Sequence, residues 1–304
     1  MNQSGTRADR NKKPSPVLSR LSSYVRLTRF NRPIGILLLL WPAMWALWIA
    51  GEGRPSWDVV VIFVLGVTLM RSAGCAINDY ADRNFDGRVK RTCNRPLVTG
   101  EVSPKEALGV FAVLVLFSFG LVLLLNIATI LMSFAALVLA AAYPFMKRYT
   151  HLPQLVLGMA FGIAVPMAFS ALTTTVPPVG WLLYFCAIIW ALIYDTQYAM
   201  VDRDDDIEIG IKSTAILFGV YDLKVIGLLQ VSMIGLLLLI GSKVELGLYY
   251  YISIVVAAGL FVYQQWLMRE RDPAACFTAF LNNNILGIAV FVGLLVDYLA
   301  AASS

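Results

Sequence analysis

Two short acidic stretches hold the residues best suited to chemistry. Asn78 to Asp86 reads N-D-Y-A-D-R-N-F-D, and Tyr194 to Asp206 reads Y-D-T-Q-Y-A-M-V-D-R-D-D-D. If the helix entering the first stretch continues through it, Asn78, Asp82 and Asp86 fall at i, i+4 and i+8, on one face. Asp195, Asp202 and Asp206 fall at i, i+7 and i+11, again one face, with Asp204, Asp205 and Glu208 turned to water. Like charges four apart weaken a helix unless something neutralises them. Eight of the 19 acidic residues lie in these two stretches, and Glu208 follows just beyond the second. Each is followed by a basic–hydroxyl string, Lys90-Arg91-Thr92 and Lys212-Ser213-Thr214. Oxygen donors beside Lys and Arg suit a particular ligand. Mg2+ takes few protein carboxylates and leaves positions for phosphate oxygens, and Arg and Lys neutralise the remaining diphosphate charge. No EF-hand or P-loop string is present. One His, and four Cys without C-x-x-C spacing, do not make a zinc, haem or iron–sulfur site.

The elements that must position these residues are apolar. Of 304 residues, 59% are hydrophobic and 14% charged, against about 45–50% and about 25% in soluble domains. Nine apolar segments run over 33–50, 58–77, 107–125, 127–145, 153–171, 180–199, 223–241, 246–267 and 284–302. None alternates with the period of a membrane barrel, so helices must satisfy the backbone in lipid. The expected fold is an all-α membrane protein of nine transmembrane helices. The first apolar segment is too long, and lacks the cleavage pattern, for a signal peptide. With alternate loops assigned to one side, 22 of the 24 Lys and Arg fall there; only Arg54 and Lys243 fall opposite. That asymmetry puts the N-terminus and both acidic stretches in the cytoplasm. Residues 1–22 read as a mobile basic tail and 23–304 as a single membrane domain. The net charge of +5 reads as attraction to anionic membrane lipid, not nucleic acid. Asp195 continues directly from the sixth apolar segment, where an ionisable residue is functional by default.

At these residues the sequence resembles the UbiA-type intramembrane aromatic prenyltransferases. Asn78 to Asp86 is similar to the family's N-x-x-x-D-x-x-x-D motif, and Asp195 to Asp206 carries its D-x-x-Y-A-x-x-D motif. The likeness extends through R-P-I-G-x-L-L-L-L-W-P from Arg32, V-K-R-T-x-N-R-P-L from Val89, and Y-P-F-M-K-R-Y-T-H-L-P-Q from Tyr143. It continues through I-G-I-K-S-T-A-I-L-F-G from Ile209 and F-V-Y-Q-Q from Phe261. These flanking strings look like the bacterial members that act in ubiquinone synthesis.

The resemblance implies a central cavity under a cytoplasmic polar cap, in the bacterial inner membrane. It implies Mg2+ as cofactor, held with diphosphate by Asn78, Asp82, Asp86, Asp195 and Asp202, and Arg71, Arg91, Tyr143 and Lys147 as polar partners. Lys212, in the second basic–hydroxyl string, joins the substrate-binding set. The substrates implied are polyprenyl diphosphate and 4-hydroxybenzoate, joined at the carbon ortho to the hydroxyl. No obligate protein partner is indicated. A carbocation formed from the allylic group needs a dry cavity, and Tyr198, Tyr194 and Phe145 are candidate aromatic faces for it. Asp82, Asp195 and Asp202 are the expected catalytic acids. Asp195, or the released diphosphate, takes the ring proton. Arg148 is the first candidate for the acceptor carboxylate, followed by Arg29 and Arg32. His151 reads as a hydrogen-bonding residue. Other aromatic acceptors, and a cation-coupled transporter, are the alternatives.

Overall fold

The structure, a computed structural model, describes residues 16–303. Those residues form helices and turns only. The helices are α1 (Pro16–Leu27), α2 (Ile34–Ala50), α3 (Trp57–Asp82), α4 (Pro104–Val122), α5 (Ile127–Met146), α6 (Pro153–Gly162) and α7 (Ala164–Thr173). They continue as α8 (Pro178–Val201), α9 (Arg203–Ile209), α10 (Thr214–Phe218), α11 (Asp222–Lys243), α12 (Leu248–Met268) and α13 (Pro273–Ala301). Among the described residues, eight helical segments are long and apolar enough to cross a membrane, with α6–α7 and α10–α11 each counted once. The remaining apolar helix, α2, has 17 residues. All nine apolar segments of the sequence become helices. The expected basic tail falls on residues 1–15, outside the described residues, and on the start of α1.

Local signals set several helix ends. Ser103 and Glu106 form a reciprocal capping box at the start of α4, with Pro104 in its first turn. Asn126 caps α5 through the Thr129 N–H, and Asp272 caps α13 through the Ala275 N–H. Pro166 lacks the N–H that would reach Gly162, and the helix breaks there into α6 and α7.

The densest packing is around α8, which contacts α6, α11 and α13. Gly287 of α13 lets Trp41 and Trp190 approach closely; a Cβ there would lie 2.3 Å from Trp41. Trp45 and Trp190 stack at 5.2 Å. Buried amides join α8, α11, α12 and α13. Gln197 donates to Gln264 at 2.9 Å, Gln264 to Asn282 at 3.0 Å, and Asn283 to Gln197 at 2.7 Å. Such bonds contribute about 0.6 kcal/mol each on average in membranes. They also fix the rotation of α8, which carries the second acidic stretch. Helices α4 and α5 are peripheral, with exposed Leu116, Phe117, Leu131 and Phe134.

Candidate active site

The first acidic stretch spans the end of α3. Asn78 donates to Asp82 at 3.2 Å, as their one-turn spacing allows. Asp82 is buried and pairs with Lys147, at the end of α5. Its second oxygen, Oδ1, is buried without a partner. The helix stops at Asp82, and Asp86 opens a separate one-turn 3-10 helix, Asp86–Arg88. The expected common face therefore holds for Asn78 and Asp82 but not for Asp86. Arg95 holds Asp86 instead, at 2.6 Å. Burial pushes the Asp86 carboxyl above its ordinary value, against the pull of Arg95, and Asp82 and Asp79 push the same way.

The second stretch is also divided. Helix α8 ends at Val201, Asp202 forms the junction, and Asp206 lies in α9. The single face expected for Asp195, Asp202 and Asp206 is thus broken at Asp202. Arg91 grips Asp202 with its Nε at 3.0 and 3.1 Å from the two oxygens. The same guanidinium lies over the Tyr198 ring, 4.6 Å from its centroid. The Lys90 backbone N–H donates to Asp205 at 3.2 Å. Burial pushes the Asp206 carboxyl up to about 7; Asp202 adds to this, while Lys147 and Arg91 oppose it. Lys147 therefore pairs with the first stretch and acts electrostatically on the second. Two segments more than 100 residues apart meet at one end of the helix bundle.

A cavity of about 510 Å3 opens beside this junction. Arg29, Arg32, Arg71, Asn78, Arg91, Arg95, Tyr143, Asp195 and Tyr198 line its polar part, and Tyr194 lines it nearby. Apolar residues from α2, α3, α4, α5, α6, α7 and α13 line the remainder, including Leu38, Phe119, Leu137, Phe161 and Phe280. Leu116 and Phe134 line it too, yet are exposed on the outer surface of α4 and α5. Arg71 touches the Cys75 sulfur and lies 5.6 Å from the Phe161 ring. Its Nε is buried without a partner.

Some expected site residues lie off the cavity wall. Arg148 is exposed, donates to the Ala81 carbonyl, and sits near Phe85 and Phe145. Lys212 donates its backbone N–H to the Lys147 carbonyl at 3.0 Å and its ammonium to the Tyr149 carbonyl at 3.3 Å. Phe145 faces Arg148. Asp82, Asp86 and Asp202 lie behind the wall, each met by a cation. His151 is exposed.

Among the described residues no three acidic, His or Cys side chains converge tightly enough to chelate one ion. The donor set still fits Mg2+ bound together with diphosphate. That assembly uses scattered carboxylates and fills its other positions with phosphate oxygens. The unpartnered Asp82 Oδ1 is such a donor. Sequence reasoning missed Arg95 and Asp79. Arg95 lies in the V-K-R-T-x-N-R-P-L string, and Asp79 adjoins Asn78, so both were within reach.

A 4-hydroxybenzoate octaprenyltransferase from Alkalilimnicola ehrlichii is 61% identical over 90% of this chain and 94% of its own length. One from Aliivibrio fischeri is 59% identical over 91% and 97%. A UbiA homologue from Aeropyrum pernix K1 has a similar structure, with a TM-score of 0.75, 26% identity, and coverage of 85% of this chain and 97% of that one. A UbiA homologue from Archaeoglobus fulgidus, solved with GPP and Mg2+, has a TM-score of 0.67, 21% identity and coverage of 90% and 99%. The UbiA prenyltransferase family profile matches residues 39–291, and the chain belongs to that family.

Proposed function

We propose that the protein transfers a polyprenyl group from polyprenyl diphosphate to 4-hydroxybenzoate, at the ring carbon ortho to the hydroxyl, and releases diphosphate. One observation carries the reading: Asn78 and Asp195, one from each acidic stretch, line the polar end of an otherwise apolar cavity. The named activity of relatives about 60% identical supports the choice of acceptor.

Asn78, Asp82, Asp86, Asp195 and Asp202 are the residues that would hold Mg2+. When bound, Mg2+ neutralises charge growing on the leaving diphosphate. Lys147 and Arg91 supply further positive charge beside it, with Tyr143 and Lys212 in supporting positions. The apolar wall excludes water from the allylic cation. Tyr198 and Tyr194 present ring faces worth about 0.5–2 kcal/mol each to such a cation. The allylic C–O bond breaks, the ring carbon forms the new C–C bond, and the ring proton passes to Asp195 or to released diphosphate. The prenyl tail extends along the apolar lining towards Leu116 and Phe134, where the wall meets lipid.

The acceptor carboxylate pairs with Arg71. That side chain lines the cavity, and its buried Nε has no hydrogen-bond partner. Arg148, the first sequence candidate, is off the wall; Arg29 and Arg32 remain on it.

In the full reading the chain spans a bacterial inner membrane nine times around this cavity. Its N-terminus and polar cap face the cytoplasm. The 17 residues of α2 reach the lower limit for a span of about 17–25, and the charge asymmetry supports the orientation. Residues 23–304 then form one membrane domain.

The test is incubation of membranes containing the protein with Mg2+, a prenyl diphosphate and labelled 4-hydroxybenzoate, followed by mass analysis of the lipid extract. Prenylated 4-hydroxybenzoate is expected, and chelation should abolish it. Undiminished product after chelation would defeat the metal assignment.

A further inference from the structure

Asp79 has no place in the chemistry described so far. It follows Asn78 on α3 but points about 100° away around the helix. It does not line the cavity, and its side chain is 0% exposed. A carboxylate so buried must be paired, and this one is paired twice. Arg29 grips it with two N–H groups, at 2.8 and 3.2 Å. Arg95 reaches it at 3.1 Å while also holding Asp86 at 2.6 Å.

Both arginines line the cavity, so Asp79 is their shared anchor from behind. The backbone gives a second, independent sign. Arg29 has a φ of 61°, a left-handed conformation that non-glycine residues adopt at a cost. The bidentate grip of Asp79 holds Arg29 in that conformation. Charge balance gives a third. Two carboxylates, Asp79 and Asp86, face two guanidiniums. If Asp86 turns towards a metal, Arg95 still keeps one carboxylate.

We propose that Asp79 is a positioning residue that anchors Arg29 and Arg95 at the cavity mouth and, through Arg95, orients Asp86. The proposal rests on the reading that Asp86 helps to hold Mg2+–diphosphate. Groups that orient metal ligands typically matter by about 10–100-fold in affinity. A purely structural tie between the α1–α2 junction and α3 would instead affect melting alone.

The experiment is calorimetric titration of the purified full-length protein with Mg2+ plus pyrophosphate, alongside thermal melting. Asp79→Asn keeps the shape and removes the charge; Arg95→Lys keeps the charge and removes the fork that spans two carboxylates. Both are expected to weaken Mg2+–pyrophosphate binding by about 10–100-fold in folded protein. Wild-type affinity in folded Asp79→Asn overturns the proposal. If Asp79→Asn does not fold, Arg95→Lys decides, and wild-type affinity in that variant overturns it equally. A wild-type protein that binds no Mg2+–pyrophosphate removes the underlying functional reading as well.

Discussion

Arg71 and Arg148 were both readable as substrate cations, and their surroundings separate them. Arg148 is exposed and uses an N–H on the Ala81 carbonyl. Arg71 lies in the cavity wall with a buried, unpartnered Nε. An arriving carboxylate would relieve the cost of burying that cation. Arg71→Ala is expected to lower kcat/KM for 4-hydroxybenzoate by roughly 10- to 150-fold, equivalent to a charge-assisted bond of about 1.5–3 kcal/mol. Arg148→Ala should cost no more than about fivefold, the worth of an exposed charge contact. Kinetics with each substrate varied in turn check both values; a larger loss in Arg148→Ala returns the carboxylate to that residue. Motif spacing offered candidate acids and cations but not their pairing. The ties of Asp79 to Arg29, of Asp82 to Lys147 and of Asp202 to Arg91 cross between helices and loops. No local periodicity encodes such ties.

Helix ends explain where the reading of the acidic stretches went astray. Extending α3 to Asp86 ignored Asn84 and Gly87, which are helix-stop signals. Extending α8 to Asp206 had less warning, because D-R-D-D-D offers no Gly or Pro before Gly210. Helix α1 was hidden by its polar composition and is held by contacts that the sequence does not display. Arg20 and Tyr24 bond Glu106, at 2.8 and 2.9 Å, while Ser23 bonds Glu101 at 2.7 Å. The Glu106 carboxyl is held down to about 2, first by the Ser103 backbone N–H and then by the Ser103 and Tyr24 hydroxyls. The Ser103 share of that shift belongs to the cap of α4, whereas the Tyr24 and Arg20 share stabilises docking of α1, fully above the ordinary value of 4.5, and is lost as pH falls towards about 2. Amide exchange in α1, corrected for intrinsic rates, is therefore expected to stay level from neutral pH to about 5 and to rise below about 4. Level protection down to pH ~2 would show that Glu106 does not hold the helix.

At the scale of the whole molecule, hydropathy made the apolar helices of the described residues legible because lipid imposes length and composition on each long apolar helix separately. The cavity was not legible, since its wall draws single residues from helices far apart in sequence. Sidedness is accessible through the cysteines. Cys75, Cys186 and Cys276 are buried, whereas Cys93 is half-buried, in the loop between α3 and α4. Cys93 lies two residues beyond Arg91, which grips Asp202. A label on its sulfur thus reports the membrane face of the candidate active site as well as the direction of threading. The proposed orientation puts that loop in the cytoplasm. A membrane-impermeant maleimide should leave intact spheroplasts unlabelled and label inverted membrane vesicles, and Cys93→Ser should remove the signal. The three buried thiols should stay silent in both preparations, so no cysteine-free background is required. Labelling of Cys93 in intact spheroplasts would invert the whole topology. The acidic site would then face away from a cytoplasmic supply of prenyl diphosphate and 4-hydroxybenzoate.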